Sequence, residues 1–209
     1  MNPLTQLNRV RFLASIGSPG WPLLKLKQIH SNGVREMDNT SAAGDAIEGD
    51  ASITALQGVM LGVQMADCVP ILLADSAALA AAAVHSGWRG AATRISEITV
   101  SRLHERFGVN PKNLVAAIGP HIGVCCYEVG EEVVEAIGDS GVVERRPEWA
   151  RPHLNLAEAN RRQLVKAGVP QDQIEISSLC TRCREDLFFS YRRDGTKTGH
   201  MLAVIGIAL

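Results

Sequence analysis

Leu79 to Val84 is an apolar run that ends on a histidine, His85. A stretch with so little polar alternation is typical of a strand covered on both faces, and it constrains this chain more than any other segment. Val59 to Met65 and Val69 to Leu73 are further aliphatic and β-branched strand segments, broken at Asp67 to Pro70, and Leu114 to Ile118 reads as another buried strand. Leu23 to His30 alternates apolar and polar residues as a half-buried strand does, with Ser31-Asn32-Gly33 as its turn. Ile174 to Leu179 and Met201 to Ile207 complete the strands, and the small, polar stretch Thr40 to Gly49 reads as loop.

Helices are expected over Leu7 to Ile16, over Ala91 to Phe107 with an apolar side of Ala92, Ile95, Ile98, Leu103 and Phe107, and over Glu128 to Ile137. A fourth opens at Asn155, which with Glu158 resembles a capping box, and runs to Ala167. Gly108 and Gly168 are the expected stops. Asp139 to Pro152, rich in charge and turn formers, reads as a surface loop rather than a domain boundary. Strands outnumber helices, and hairpin-like neighbours precede long helices. This fits an α+β chain of layered elements, and 209 residues suit a single domain, 1–209.

The net charge of −1 offers no basic field to a nucleic acid or an anionic membrane, and 4% aromatics make a poor base-stacking platform. Met1 to Arg11 lacks the layout of a signal peptide, and no apolar run reaches membrane-spanning length. Five cysteines, an odd number in a chain too large to need disulfide staples, point to a reduced, cytoplasmic setting. The expected partner is a small molecule, met by a monomer or homodimer, with neither nucleic acid nor membrane involved.

Three patches place a metal-capable side chain in or beside an apolar run: Lys27-Gln28-Ile29-His30, Ala66-Asp67-Cys68-Val69-Pro70 and Ala83-Val84-His85-Ser86-Gly87-Trp88-Arg89-Gly90. His30, Cys68 and His85 each lie at or just past the end of an expected strand, where side chains from different strands can converge. Two imidazoles and a thiolate suit zinc with a fourth position left open. The same atoms serve a second reading, Cys68 as nucleophile and His85 as base, with His30 or Asp67 orienting the imidazole. A third reading makes them two turn histidines and a core cysteine.

The Ser86-to-Gly90 turn opens a helix, and its glycines let a backbone approach an anion. Arg89 would add a bidentate fork for phosphate. Arg192 and Arg193, in Phe188-Phe189-Ser190-Tyr191-Arg192-Arg193-Asp194-Gly195, form the densest aromatic and basic cluster; its rings could line a purine or phenol and its arginines hold phosphate. His121 reads as a solvated turn histidine. Vicinal Cys125 and Cys126, and Cys180 with Cys183 in a lone C-x-x-C pair, read as packing.

The stretches KQIHSNGV, GDASITALQGVMLGVQMADCVPILLAD, AAVHSGWRGAA, AAIGPHIGVCCYEVG and DLFFSYRRDGTKTGH, in this order, resemble the YfiH-like family. That family is also described as laccase-domain or multicopper polyphenol oxidase proteins and as purine nucleoside phosphorylases. The resemblance runs from about Leu24 to Ile207. It implies a sandwich of mixed β-sheets flanked by helices, similar to cytotoxic necrotizing factors, whose Cys–His pair is catalytic. It also implies a metal site on His30, Cys68 and His85, holding zinc or copper.

The implied activities are phosphorolysis of adenosine, inosine and methylthioadenosine, and deamination of adenosine. In phosphorolysis Arg89, with Arg192 or Arg193, would hold the phosphate that attacks the ribose C1′; in deamination a metal-activated water would attack C6 of adenine. The H-x-E…P-C-x-x-C pattern of zinc deaminases is missing. Rival readings are copper-dependent phenol oxidation, a Cys68–His85 hydrolase acting on cell-wall precursors, and a structural zinc domain that binds a partner. Two departures from the family stand out. Met1 begins near the first helix, without the family's usual leading strand and Arg-Gly-Gly-Ser-like loop. Gly199-His200 stands where Gly-Arg is common.

Overall fold

The computed structural model describes residues 3–38 and 47–208. In chain order the elements are α1 (Pro3–Ser15), β1 (Leu23–Lys25), β2 (Val34–Glu36), β3 (Ala51–Thr54), β4 (Met60–Met65), β5 (Val69–Asp75), β6 (Ala81–Ser86), α2 (Trp88–Ala92), α3 (Ile95–Phe107), β7 (Leu114–Ile118), α4 (Glu131–Ile137), β8 (Val143–Glu144), β9 (His153–Leu154), α5 (Leu156–Lys166), β10 (Ile174–Ile176), α6 (Tyr191–Asp194) and β11 (Met201–Gly206). Six strands form one mixed sheet in the order β10-β7-β5-β6-β3-β2; β1-β4-β11 form a second sheet and β8-β9 a small third one.

The layering follows from the apolar run that ends on His85. Every residue of β6 is buried, because the strand lies between two cores. Ala82 and Val84, with Val69, Ile71 and Leu73 of β5, face the helices and pack with Ile95, Val100 and Leu103 of α3 and Leu164 of α5. Ala83 and Leu72 face the opposite way, against Leu24, Met37, Leu61, Val63 and Met65 of the smaller sheet's side. Helices, six-stranded sheet and three-stranded sheet therefore form an α+β sandwich. Burying each such Leu, Ile or Val contributes about 1.5–3 kcal/mol, so the β5–β6 hairpin is the most firmly anchored part of the fold.

Several boundaries differ from the sequence-based expectations for physical reasons. The helix expected over Ala91 to Phe107 is two helices. The Thr93 hydroxyl donates to Arg89 O at 2.8 Å, and Arg94 turns into the left-handed region at φ 60° before α3 begins. Such back-bonding competes with helix continuation. The buried side of α3 is accordingly Ile95, Ser96, Thr99, Val100 and Leu103, rotated from the expected one. The strand expected from Leu23 to His30 stops at Lys25, and the helix expected from Glu128 begins at Glu131. Asp139 to Pro152 holds a short 3-10 turn and β8.

The α5 cap is half of a capping box. Asn155 Oδ1 accepts from Glu158 N at 3.1 Å, while the Glu158 carboxylate binds Arg161 and Arg162 instead of reaching back. Gly108 ends α3 at φ 67°, as expected. Of the loop expected over Thr40 to Gly49, residues 40–46 lie outside the described residues. Among the described residues no helix is long and apolar enough to cross a membrane.

Candidate functional site

Strand register builds the site. Antiparallel β3 and β6 pair Ala51 with Val84, which brings Asp50, just before β3, opposite His85 near the end of β6. His85 N donates to Asp50 O at 2.7 Å, and His85 Nδ1–H donates to Asp50 Oδ1 at 2.9 Å. Antiparallel β5 and β6 pair Pro70 with His85, so Cys68, two residues earlier on the turn from β4, arrives at the same end. His30 lies beyond β1, which runs parallel to β4, and its loop ends at that end too.

Two of these turns adopt backbone that side chains disfavour. His30 has φ 58° and Asp67 has φ 92°. Such positions persist where surroundings over-determine them, and they cluster at functional sites. The Asp50 carboxylate pins the first, accepting from Ile29 N at 3.2 Å, His30 N at 3.0 Å, Ser31 N at 2.7 Å and Ser31 Oγ at 2.8 Å. The second is pinned through Asp67's own carboxylate, which accepts from Thr181 Oγ1 at 2.6 Å, Ser190 Oγ at 3.1 Å and Arg192 N at 2.7 Å.

The result is a compact donor set. One ligand atom each from His30, Cys68 and His85 lies within 4.8 Å of the others, with Cys68 Sγ 3.9 Å from His30 Nε2. The backbone packs tightly behind them: a Cβ on Gly87 would sit 3.1 Å from both Cys68 Sγ and His30 Cδ2, so either side chain would have to give way by a few tenths of an ångström. With Nδ1 of His85 committed to Asp50, its Nε2 remains for an ion. Two imidazoles and a thiol so disposed fit a zinc ion with an open position, and Asp50 is the carboxylate behind the ligand that orients it.

The electrostatics are those of an activated thiol. Burial pushes the Cys68 thiol up, but hydrogen bonds and charge from His30 and His85 outweigh it and bring the pKa to about 6. Burial would lower His85; Asp50 and Cys68 raise it to about 9. Burial would raise Asp50, yet His85, the Ser31 amide and the Ser31 hydroxyl hold it at about 2.

The trio opens on a cavity of ≈ 790 Å³, lined also by Gln28, Gln64, Tyr127, Tyr191, Arg192 and His200. That volume suits a small organic substrate. Arg192 stands at its wall, with Nη1 donating to Glu128 O at 2.9 Å and its guanidinium 5.2 Å from the centre of the Tyr127 ring. Burial raises the Tyr127 phenol above its ordinary value, so the ring stays neutral.

The other expected residues are placed differently. Arg89 is exposed, stacks on Trp88 at 4.4 Å and is not in the cavity lining. The turn around it is the five-residue α2, so the long helix expected to open there begins after Arg94 instead. Arg193 is also outside the lining; its guanidinium donates to Thr181 O, Arg182 O, Phe188 O and the Asp194 carboxylate. Of the aromatic cluster, Tyr191 lines the cavity and Phe188 and Phe189 do not.

His121 is buried rather than solvated, with Nδ1–H donating to Gly119 O at 2.8 Å. The orienting carboxylate is Asp50, not Asp67. Its local signal was slight, an acidic residue at the start of the short strand Ala51–Thr54, all of whose residues are buried. The sulfurs of Cys125, Cys126, Cys180 and Cys183 gather within 4.8 Å of one another; Cys180 is buried, as expected of packing, while Cys125 and Cys183 are exposed.

The chain matches known proteins over most of its length. The family model described as "Multi-copper polyphenol oxidoreductase laccase" matches residues 4–208. A protein of Bacteroides thetaiotaomicron named purine nucleoside phosphorylase is 42% identical over 163 residues, which cover 76% of this chain and 60% of that relative. A protein of an unknown prokaryotic organism, named adenosine deaminase RL5, is 42% identical over 189 residues, 85% of this chain and 72% of the relative. The crystal structure of the Bacillus licheniformis hypothetical protein YfiH superposes with a TM-score of 0.89 at 33% identity, covering 96% of this chain and 80% of that one.

Proposed function

Because this chain belongs to the multi-copper polyphenol oxidoreductase laccase family, we propose that it is a metal-dependent purine nucleoside phosphorylase. It takes adenosine, inosine or methylthioadenosine with phosphate and releases the free base and the sugar 1-phosphate. The reading rests on one observation: the donor set of His30, Cys68 and His85 forms the floor of a cavity of nucleoside size with Arg192 in its wall. Relatives named purine nucleoside phosphorylase support the substrate class.

His30, Cys68 and His85 would hold a zinc ion, which when bound supplies Lewis acidity towards an oxygen in the cavity. The chain's own residues do the rest. Asp50 fixes His85 in the tautomer that presents Nε2 and anchors the His30 loop. In the metal-free chain the Cys68 thiol is held low and the His85 imidazole high; both would give up their protons to serve as ligands when the ion binds. Arg192 meets phosphate from the cavity wall and Arg89 adds long-range positive charge, while Arg193 holds the loop that carries Arg192. Attack on C1′ builds positive charge on the sugar and negative charge on the leaving purine, so fixed charges around the cavity lower that barrier. Tyr127 and Tyr191 offer apolar faces to the base.

Adenosine deamination is a second activity of the same site, supported by the relative named adenosine deaminase. Copper is a poorer fit in the multinuclear sense. Among the described residues only two groups of three or more His, Cys, Asp or Glu lie close enough to hold an ion, and only the His30–Cys68–His85 group contains histidine.

The test incubates metal-defined protein with adenosine, with and without phosphate. Adenine and ribose 1-phosphate, formed only with phosphate and zinc, support the reading. Inosine alone reverses the order of the two activities, and phenol oxidation only with copper and no purine product overturns both.

A further inference from the structure

The four cysteines outside the cavity lining come from two segments far apart in the chain. Cys125 and Cys126 lie in a tight turn in which Cys126 N and Tyr127 N both donate to Gly123 O. Cys180 and Cys183 lie in a C-x-x-C turn bridged to the first segment, with Thr181 N donating to His121 O at 2.9 Å. We propose that Cys125, Cys126, Cys180 and Cys183 form a second metal centre, a structural site in which four thiolates enclose one zinc ion.

Size argues for a single ion. A tetrahedral zinc–thiolate centre with bonds of about 2.3 Å has sulfur–sulfur edges of about 3.8 Å. Three of the six edges are close to this, 3.7 Å between Cys125 and Cys126, 3.8 Å between Cys125 and Cys183, and 3.4 Å between Cys126 and Cys183, and the sulfur of Cys180 lies within 4.8 Å of the others. An iron–sulfur cluster would need its cysteines spread around several atoms rather than one. Four soft sulfur donors in this arrangement are the tetrahedral set that selects zinc.

The surroundings suit a thiolate centre. Gly123 N donates to Cys180 Sγ at 3.2 Å, and the amides of Arg182 and Cys183 also hydrogen-bond that sulfur. Arg182 Nη1 donates to Cys126 Sγ at 3.5 Å. On binding, each thiol gives its proton to solvent, four protons for one ion, and the four sulfurs and zinc carry two negative charges. Amide donors and the Arg182 guanidinium offset that charge. Cys125 and Cys183 are exposed, which gives the ion an entry path.

The location gives the centre a purpose. It joins the segment carrying Ile122 and Tyr127 to the segment carrying Tyr191 and Arg192, and all four of these residues line the cavity. Thr181, between Cys180 and Cys183, donates to Asp67. An ion here fastens that wall from behind without touching substrate.

The chain has five cysteines, so removing Cys68 leaves sulfur ligation to this cluster alone. Full-length His30→Ala/Cys68→Ser protein, purified under reducing conditions and loaded with zinc, is desalted and analysed for metal content and zinc-edge X-ray absorption. One zinc per chain, with four sulfurs at about 2.3 Å, is expected. A Cys126→Ser/Cys183→Ser variant should lose that signal and keep the nitrogen–sulfur centre. No zinc in the first variant, nitrogen or oxygen ligation there, or a Cys126–Cys183 disulfide in its place overturns the proposal. The deciding measurement leaves the cluster's own residues unaltered, so it does not depend on the second variant folding. It is also independent of which purine reaction the cavity performs.

Discussion

The His30–Cys68–His85 set lines the cavity and the four-cysteine set does not, and the two differ in the features that separate working metal sites from structural ones. The first offers three donors of mixed kind, sits on backbone at positive φ, has a buried carboxylate behind a ligand and opens on ≈ 790 Å³ of space. The second offers four identical donors on turns, two of them exposed and one buried. Three ligands leave a coordination position for chemistry, whereas four thiolates leave none. The comparison teaches that cysteine number is less informative than what stands behind the ligands.

The largest effect expected follows from removing a donor of the open set. Cys68→Ala should abolish purine-product formation to background and take the ion from that centre, read by metal content alongside kcat/KM, while the four-sulfur signal persists. Loss of both signals together would show the two sets to be one cooperative unit. Next is Asp50→Asn, which keeps the shape but weakens the acceptor behind His85. Losing such a support costs about 10–100-fold in metal affinity or activity, measurable by competition with a chelator. An equal loss at the four-cysteine centre would break the comparison.

A pH experiment on metal-free protein sharpens the same contrast. Asp50's carboxyl lies at about 2 when folded against an ordinary 3.8. Its contribution is therefore complete above about pH 4 and vanishes as the pH falls towards 2. His85 lies at about 9 against 6.5, so the same pair is fully held below about pH 6.5 and weakens as the pH rises through 9. Cys68, at about 6 when folded against 9.0, gains over that range what His85 loses, so denaturant midpoints should change chiefly on the acid side, falling below about pH 4 with a swing of roughly 2 kcal/mol. In Asp50→Asn that acid swing should disappear, and its survival there would assign it to other groups.

How much of this was legible beforehand depended on whether the information was local. The strand Ala81–Ser86 was visible because burial on both faces removes polar alternation, and His85 was visible as the residue that ends it. His30 and Cys68 could be named because each interrupts an apolar pattern beside a turn. Asp50 was missed because its partners, His85 and the amides of residues 29–31, come into reach only through the β3–β6 register. The break at Arg94 was missed because a helical period does not reveal a hydroxyl bonding back to Arg89. The four-cysteine set was misread as packing for a related reason. Cys125 and Cys183 are 58 positions apart, and only the bridge between their segments unites them.

The smallest expected effects separate the two arginines that the sequence made equivalent. Arg192 Nη1 meets one carbonyl, at Glu128, and the side chain faces the cavity. Arg193 spends its guanidinium on three carbonyls and a carboxylate. Arg192→Ala should therefore raise the KM for phosphate several-fold with little change in melting temperature. Arg193→Ala should do the reverse, leaving KM nearly unchanged and costing about 1–3 kcal/mol for the stranded acceptors. Arg193 belongs to the loop that the thiolate centre fastens, so its loss should be milder with zinc in that centre than without it. A phosphate defect in Arg193→Ala at full stability would return it to the cavity and erase the distinction drawn between wall and fastening.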